Sequence, residues 1–347
     1  MKLIDCDVHN VPVSMDEISE RMPAYFRQRG VHLPGSFGIK NPMGVLRVDA
    51  QGSNGEPAGS VPSVMKEQLL DAYEMDYAVL IGAKFLGVGV HPEVDYALAI
   101  MRAYNDWQSE IWLADDKRFL GSIVVSQMDP IASAAEIRRV GSQSQIVQVV
   151  MTSATRIPRG DRYYWPIYEA AQEMGLAVAL HPGCECTGVS ESFSSGYPAS
   201  YLEWHTNLSQ NFMSQLTSIV CRGVLNEFQE LKFVFVEGGF GWVPSLLWRL
   251  DKNWKALRST VPWLKRLPSE YVFERCRFTT QPVEEPLERG ELEQVMRMMQ
   301  GEKTLMFSSD YPHWDNDSPV RAFPRIDEEM KQAILWKNAA ELYGLTS

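Results

Sequence analysis

Residues 3–10 have the sequence LIDCDVHN, a short apolar strand with Asp7 and His9 at its carboxyl end. Residues two apart on a strand point to the same side, so both side chains can reach one ion. A doubly wound open sheet would normally place a glycine-rich phosphate loop after its first strand. The residues that follow here cannot form such a loop, so this stretch favours a barrel over a doubly wound sheet.

The rest of the chain alternates between apolar strand-like segments and helical segments, which indicates a parallel sheet. The predicted strands span 3–8, 77–81, 119–125, 146–151, 176–180, 231–236, 278–280 and 305–307. The predicted helices span 64–75, 93–114, 130–140, 164–174, 209–228, 243–257, 291–299 and 332–343. Near-continuous apolar strands are typical of a sheet that is buried on both faces. We therefore predict an α/β fold, a (β/α)8 TIM barrel that uses all 347 residues as one domain.

Two segments are longer than ordinary loops, and we predict that they are insertions that cover the carboxyl-terminal mouth of the barrel as lids. The first spans about 41–63 and is polar and rich in Gly, Ser and Pro. The second spans 184–204 and carries the aromatic residues Phe193, Tyr197, Tyr201 and Trp204.

The composition excludes several classes of protein. The formal net charge is -11 and there is no basic block, so nucleic acid is not an expected partner. The first residues contain no apolar run long enough for a signal peptide, and no stretch approaches the roughly 20 apolar residues that would span a membrane. The five cysteines match no disulfide or zinc-ribbon spacing. These features predict a cytoplasmic protein whose partner is a small-molecule substrate.

Further polar residues follow the predicted strands: His181 ends strand five, Glu237 ends strand six and Asp310 follows strand eight. In a TIM barrel these strand ends meet on the face that carries the active site. Each residue alone could be a helix cap or a satisfied core group. Their joint placement instead predicts one metal ion bound by Asp7, His9, His181 and Asp310, a ligand set that suits zinc, manganese or iron.

Five other residues lie outside the predicted ligand set. His205, at the head of the long helix after strand five, could fold over the site and bind substrate, or it could have a surface or capping role. His313 is expected to support the site rather than react. Arg156 could pair with a substrate carboxylate or lie on the surface. Cys184 and Cys186 could be a redox or metal pair, but ordinary loop thiols are the favoured interpretation.

Several motifs together carry a family resemblance from one end of the chain to the other. They are IDCDVH (4–9), ALHP (179–182), FVEGG (235–239), WVP (242–244), RLD (249–251), FSSDYPHWD (307–315) and NAAELYGL (338–345). With them the chain resembles the branch of the amidohydrolase superfamily that contains aminocarboxymuconate-semialdehyde decarboxylase and several hydroxybenzoate decarboxylases.

The resemblance implies a homodimer with one divalent ion per chain on Asp7, His9, His181 and Asp310. The ligand types make Zn²⁺ the expected ion, with Mn²⁺ as the alternative. It also implies that Asp310 handles protons in hydrolytic members. The decarboxylases carry a His at the end of strand six, where this chain has Glu237.

Three functions follow as expectations. The first is hydrolysis of a small molecule by metal-activated water, and aromatic and cyclic compounds are candidate substrates. Asp310 would take a proton, Glu237 would protonate the leaving group and His205 would contact the substrate. The second is non-oxidative decarboxylation of a small carboxylic acid, in which an ionised Glu237 would repel the substrate carboxylate. The third is an inactive ligand-binding barrel, against which the intact ligand set argues.

Overall fold

Eight parallel strands lie in chain order in the computed structural model, which describes residues 2–35, 39–188, 190, 196–288, 290–323 and 326–346. The strands are β1 Ile4–Val8, β2 Tyr77–Leu80, β3 Phe119–Val124, β4 Ile146–Thr152, β5 Ala177–His181, β6 Phe233–Phe235, β7 Cys276–Thr279 and β8 Leu305–Met306. Each agrees with its predicted bounds to within two residues. Almost every strand residue is buried, as continuous apolar strands require.

The sheet closes on itself between β1 and the chain that follows β8. The backbone N–H of Cys6 donates to the carbonyl of Phe307 at 2.9 Å, and that of Asp310 donates to the carbonyl of Asp7 at 3.0 Å. A parallel bridge between Val8 and Tyr311 extends the seam. The predicted TIM barrel is therefore confirmed.

Fourteen α-helical segments surround the strands in the part of the chain that the structure describes. They are α1 Asp16–Ser19, α2 Ala24–Arg27, α3 Pro62–Met65, α4 Val94–Trp107, α5 Pro130–Val140, α6 Trp165–Glu173, α7 Tyr201–Cys221, α8 Val224–Glu227, α9 Val243–Leu257, α10 Pro268–Arg275, α11 Glu291–Met298, α12 Gly301–Thr304, α13 Glu328–Gln332 and α14 Asn338–Tyr343. Single turns of π-helix span Lys66–Asp71, Gln108–Leu113 and Ala333–Lys337, and 3₁₀ turns span Val48–Ala50, Ala83–Val90, Arg162–Tyr164 and Arg258–Thr260. Within the described ranges, no helix is both long and apolar enough to cross a membrane.

The helix after β5 corrects the sequence prediction, because α7 begins at Tyr201 rather than near residue 209 and ends at Cys221. The hydroxyl of Ser200 accepts the backbone N–H of Glu203 at 3.2 Å, and the Glu203 carboxylate accepts the N–H of Ala199 at 2.7 Å. This cap starts the helix early and makes the last four residues of the predicted second insertion helical.

The first insertion, 41–63, packs on the loop after β8. Leu46 forms an antiparallel bridge with His313, and the N–H of Trp314 donates to the carbonyl of Val45 at 2.9 Å. At Gly59, where φ is +75°, an added Cβ would lie 2.4 Å from the carbonyl oxygen of His9. The insertion therefore lies directly against the chain that leaves β1. In the second insertion, Phe193 lies outside the described residues.

Candidate metal centre

The end of β1 presents two buried side chains, Asp7 and His9, to the mouth of the barrel. Nδ1 of His9 lies 2.9 Å from the carbonyl oxygen of Ile81, which follows β2. Because a carbonyl only accepts, Nδ1 carries the proton and Nε2 faces the centre of the barrel. Nδ1 of His181 is placed in the same way, 2.7 Å from the carbonyl of Pro182.

The four predicted ligands converge at this mouth. Nε2 of His9 is 2.7 Å from Oδ1 of Asp310 and 3.4 Å from Oδ1 of Asp7, which is itself 3.5 Å from Nε2 of His181. Ligand atoms about 2.1 Å from one tetrahedral ion lie about 3.4 Å from one another. The spacing around Asp7 therefore suits a shared ion.

Unsatisfied polar atoms support the same interpretation. Among the described residues, both oxygens of Asp7, Oδ2 of Asp310 and Nε2 of His181 are buried without a hydrogen-bond partner. Such atoms are costly unless something outside the chain binds them. Two imidazole nitrogens and two carboxylates are suitable donors for Zn²⁺ or Mn²⁺, so the residues present fit a divalent ion.

Two overlapping groups of potential ligand atoms occur here. Asp7, His9, His181 and Glu237 form one group, and His9, Glu237, Asp310 and His313 form the other, with the atoms of each group within 4.8 Å of one another. The predicted set is thus divided between them. Glu237 belongs to both groups, and His313 lies nearer to the centre than we expected.

The pKa of Asp310 shows how strongly this cluster favours its ionised form. Burial opposes ionisation, but His313 and His9 outweigh it and hold the pKa of the carboxyl well below its usual range. Nδ1 of His313 and Nε2 of His9 lie 2.6 Å and 2.7 Å from the same oxygen, Oδ1. Burial would lower the pKa of His9, yet the Asp7 charge and the Asp310 hydrogen bond raise it to about 9. A metal ion would take the place of the His9 proton between these carboxylates.

Glu237 follows β6 and points into the same cluster. Its Oε2 lies 3.1 Å from Nε2 of His181, and its backbone N–H donates to Oγ1 of Thr279 at 3.1 Å. Glu237 and Asp310 both have left-handed backbone angles, φ +56° and +61°, which cost about 1–3 kcal/mol each and occur most often at functional sites. Burial, then the charges of Asp310 and Asp7, raise the pKa of Glu237 well above its usual range.

His205 lies beside Glu237 and is not among the residues that line the cavity above the cluster. Its ring stacks on Tyr201 with 5.6 Å between ring centroids. Its Nε2 is 3.3 Å from Oδ2 of Asp315 and 4.0 Å from Oε1 of Glu237. The position therefore suits contact with Glu237 rather than the direct substrate contact that we expected.

Our sequence reasoning missed two carboxylates near the centre. Asp315 pairs with His205, and burial followed by the Asp310 charge raises its pKa. Glu185 is buried, accepts the N–H of Gly183 at 2.7 Å and is hydrogen-bonded by the Ser153 hydroxyl. Glu185 lies between Cys184 and Cys186, and our sequence interpretation of this loop considered only the two cysteines.

The structure also places the two loop cysteines and Arg156. Neither Cys184 nor Cys186 forms a disulfide in the part of the chain that the structure describes. The thiol of Cys184 contacts the carbonyl of Pro34 at 3.3 Å, and Cys186 packs with Leu208. Arg156 is not among the lining residues of the cavity.

A cavity of about 740 Å³ opens above the centre. His9, His181 and Glu237 form its polar floor. Its walls are mainly apolar, and the two predicted insertions contribute Val45, Leu46, Pro57, Ala58, Tyr201 and Trp204. A pocket of this volume and lining suits a small, largely apolar molecule with one polar group directed at the floor.

Known proteins share this architecture. The chain is 23% identical over 255 residues to 2-amino-3-carboxymuconate-6-semialdehyde decarboxylase of Dictyostelium discoideum, which covers 72% of this chain and 67% of the relative. It is 23% identical over 305 residues to gamma-resorcylate decarboxylase of Rhodococcus jostii, covering 80% of this chain and 86% of the relative.

A solved structure agrees in fold. The 5-carboxyvanillate decarboxylase of Novosphingobium aromaticivorans, complexed with manganese and 4-hydroxy-3-methoxy-5-nitrobenzoic acid, superimposes with a TM-score of 0.73 at 19% identity. The match covers 99% of this chain and 96% of that one. The family model described as amidohydrolase matches residues 4–345. The chain therefore belongs to the amidohydrolase family.

Proposed function

We propose that this protein is a metal-dependent carboxy-lyase that removes CO₂ from a small aromatic carboxylic acid without oxidation. The observation that carries the proposal is a buried carboxyl, Glu237, whose pKa is raised beside a cluster of metal-ligating groups at the floor of a mainly apolar cavity. The decarboxylase relatives support it, since two of them act on aromatic acids. This proposal replaces hydrolysis as the first choice.

Asp7, His9, His181 and Asp310 would hold one divalent ion, Mn²⁺ or Zn²⁺. The ligand types suit both ions. We favour manganese because the solved 5-carboxyvanillate decarboxylase contains it. When bound, the ion supplies a positive centre that orients the substrate and draws electron density from its oxygens.

The charges of the floor explain how it accepts a carboxylate. As metal ligands, the carboxylates of Asp7 and Asp310 would balance the charge of a divalent ion. Glu237 then experiences mainly burial, which favours its neutral form. A neutral Glu237 does not repel the substrate carboxylate, whereas an ionised one would.

A neutral Glu237 also supplies the proton that must replace the departing CO₂. The bond between the ring carbon and the carboxylate breaks, CO₂ leaves, and the electron pair stays on the ring carbon. Glu237 donates its proton to that carbon, and a proton from solvent restores the acid. His205, which is 4.0 Å from Glu237 and paired with Asp315, is placed to pass that proton.

Hydrolysis is the second candidate, because this chain has no His at the end of strand six. The decarboxylases that the chain resembles carry a His at this position. In a hydrolytic reaction Asp310 would accept a proton from water and Glu237 would protonate the leaving group. The same two residues therefore serve either reaction.

One product experiment separates the two candidates. The purified protein, loaded with Mn²⁺ or Zn²⁺, is incubated in D₂O with 2,6-dihydroxybenzoate, 5-carboxyvanillate and a panel of aromatic lactones and amides. Decarboxylation predicts released CO₂ and one deuterium on the carbon that lost it, detected by mass spectrometry. Hydrolysis of a lactone or amide with no CO₂ from any acid would reject the carboxy-lyase.

A further inference from the structure

Lys84 is the single Lys or Arg among the described residues that line the cavity. It lies in the 3₁₀ segment Ala83–Val90 that follows β2, next to the strand that carries the metal-ligating His9. The chain has a net charge of -11, and Glu237 and Asp315 also line the cavity. Within the described residues, Lys84 therefore supplies the one lysine or arginine charge at the cavity.

The backbone around Lys84 is held firmly. The N–H of Ala83 donates to the carbonyl of Ile81 at 2.8 Å, and that of Phe85 donates to the carbonyl of Gly82 at 2.7 Å. Phe85 is fully buried and stacks on Tyr104 with 4.4 Å between centroids. Because the Ile81 carbonyl also orients His9, Lys84 belongs to the short segment that positions His9.

The Lys84 amine has no hydrogen bond or ion pair to any part of the chain that the structure describes. Lys66 differs, because its amine pairs with Asp115 at 2.7 Å. Lys84 is also solvent-exposed, so its charge remains hydrated without a partner at little cost. An amine that is unpaired, anchored at its backbone and in contact with the cavity is available to a ligand.

We propose that Lys84 determines substrate specificity by binding a second carboxylate of the substrate while the first lies at the metal-ligating floor. The inference rests on the proposed function and extends it from aromatic acids in general to aromatic dicarboxylic acids. A compact ammonium pairs with a carboxylate, and Lys84 is the one Lys or Arg that the described residues present to the cavity. Without such a cation, the acidic floor and the overall charge would disfavour a dianion.

Ligand binding tests this without turnover. Calorimetry on the Mn²⁺-loaded protein would compare benzoate with its 1,3- and 1,4-dicarboxylates. We expect the wild type to bind at least one dicarboxylate about tenfold more tightly than benzoate. Lys84→Met should remove this preference and leave benzoate affinity unchanged, Lys84→Arg should retain part of it, and Lys252→Met, on exposed α9, should change nothing.

The outcomes distinguish this inference from the reaction itself. A wild type that does not prefer either dicarboxylate, or a Lys84→Met variant that keeps the preference, overturns the role of Lys84. Equal weakening of benzoate and dicarboxylates also overturns it, because that result indicates a damaged cavity. If Lys84→Met abolishes the preference and yet no acid releases CO₂, the specificity site stands and the carboxy-lyase fails.

Discussion

Nδ1 of His9 donates to the backbone carbonyl of Ile81 across 2.9 Å, so the other ring nitrogen is directed at the carboxylates of the barrel mouth. The carbonyl belongs to the chain that leaves β2, and β2 is the strand that pairs with β1. The barrel itself therefore fixes the orientation of the imidazole before any ion binds, and it keeps the proton on Nδ1 once Nε2 has lost its own. His181 is held in the same manner by Pro182.

This preorganisation leads to a prediction about metal content. His181→Asn should reduce the bound Mn²⁺ or Zn²⁺ from about one ion per chain to a small fraction, because it removes a ligand nitrogen from a buried site. Added metal should then no longer raise the melting temperature. Elemental analysis and thermal shift measure both effects. His32→Asn is the matched control, since His32 lines the cavity away from the strand ends and should retain the ion.

The second prediction concerns Glu237. Glu237→Gln keeps the shape of the side chain but removes its transferable proton, so turnover should fall by roughly 10²–10⁴ while metal content is unchanged. Steady-state rates and elemental analysis on the same preparation test this. Loss of the ion would mean instead that Glu237 is a metal ligand.

Glu237→His is the informative companion variant. It introduces the residue that the resembling decarboxylases carry at the end of strand six. CO₂ release should persist in this variant if the reaction is decarboxylation. Loss of CO₂ release with intact metal content and melting temperature would argue against that reaction.

The third prediction addresses His205 as the group that returns a proton to Glu237. His205→Phe keeps the stacking on Tyr201 but removes the nitrogen beside Asp315, so kcat should fall about tenfold with the metal retained. Asp315→Asn should cause a similar loss. Because the two residues would act as a unit, the double variant should be little worse than either single variant. Two results would contradict this role of His205 and Asp315 in proton transfer. One is a double variant whose loss in kcat is the product of the two single losses, and the other is a change confined to KM.

The sequence predicted the parts of this structure that depend on local pattern. The apolar strands predicted the barrel, and the i, i+2 spacing of Asp7 and His9 predicted a candidate site at its mouth. Other local signals were present but overlooked. Ser200 and Glu203 have the spacing of a capping box, and Pro268 opens α10, a helix that we did not predict.

Other features depend on contacts between distant parts of the chain. His205 and Asp315 are 110 positions apart, and nothing near either residue indicates that they pair. His313 was assigned a supporting role because it lies three residues beyond Asp310. The left-handed turn at Asp310 brings the two side chains to within 2.6 Å. Such backbone angles are set by the closed barrel and cannot be predicted from the local sequence.

The final prediction concerns stability and uses Asp317, a partly buried carboxyl whose Oδ2 accepts the N–H of Val283 at 3.1 Å. Burial raises the pKa of Asp317 from 3.8 to about 6. As pH rises, Asp317 ionises in the unfolded chain before it ionises in the folded chain. The free energy of unfolding therefore falls between about pH 4 and pH 6, and it stays at the lower value above pH 6. After allowance for partial exposure, we expect this loss to be about 1–2 kcal/mol.

Asp317→Asn should remove that pH-dependent loss, because an amide does not ionise and its oxygen still accepts the Val283 N–H. The difference in unfolding free energy between the variant and the wild type should therefore favour the variant by about 1–2 kcal/mol more at pH 8 than at pH 4. Urea unfolding of both proteins at the two pH values measures it. A difference that does not change with pH would show that Asp317 titrates alike in the folded and unfolded chains.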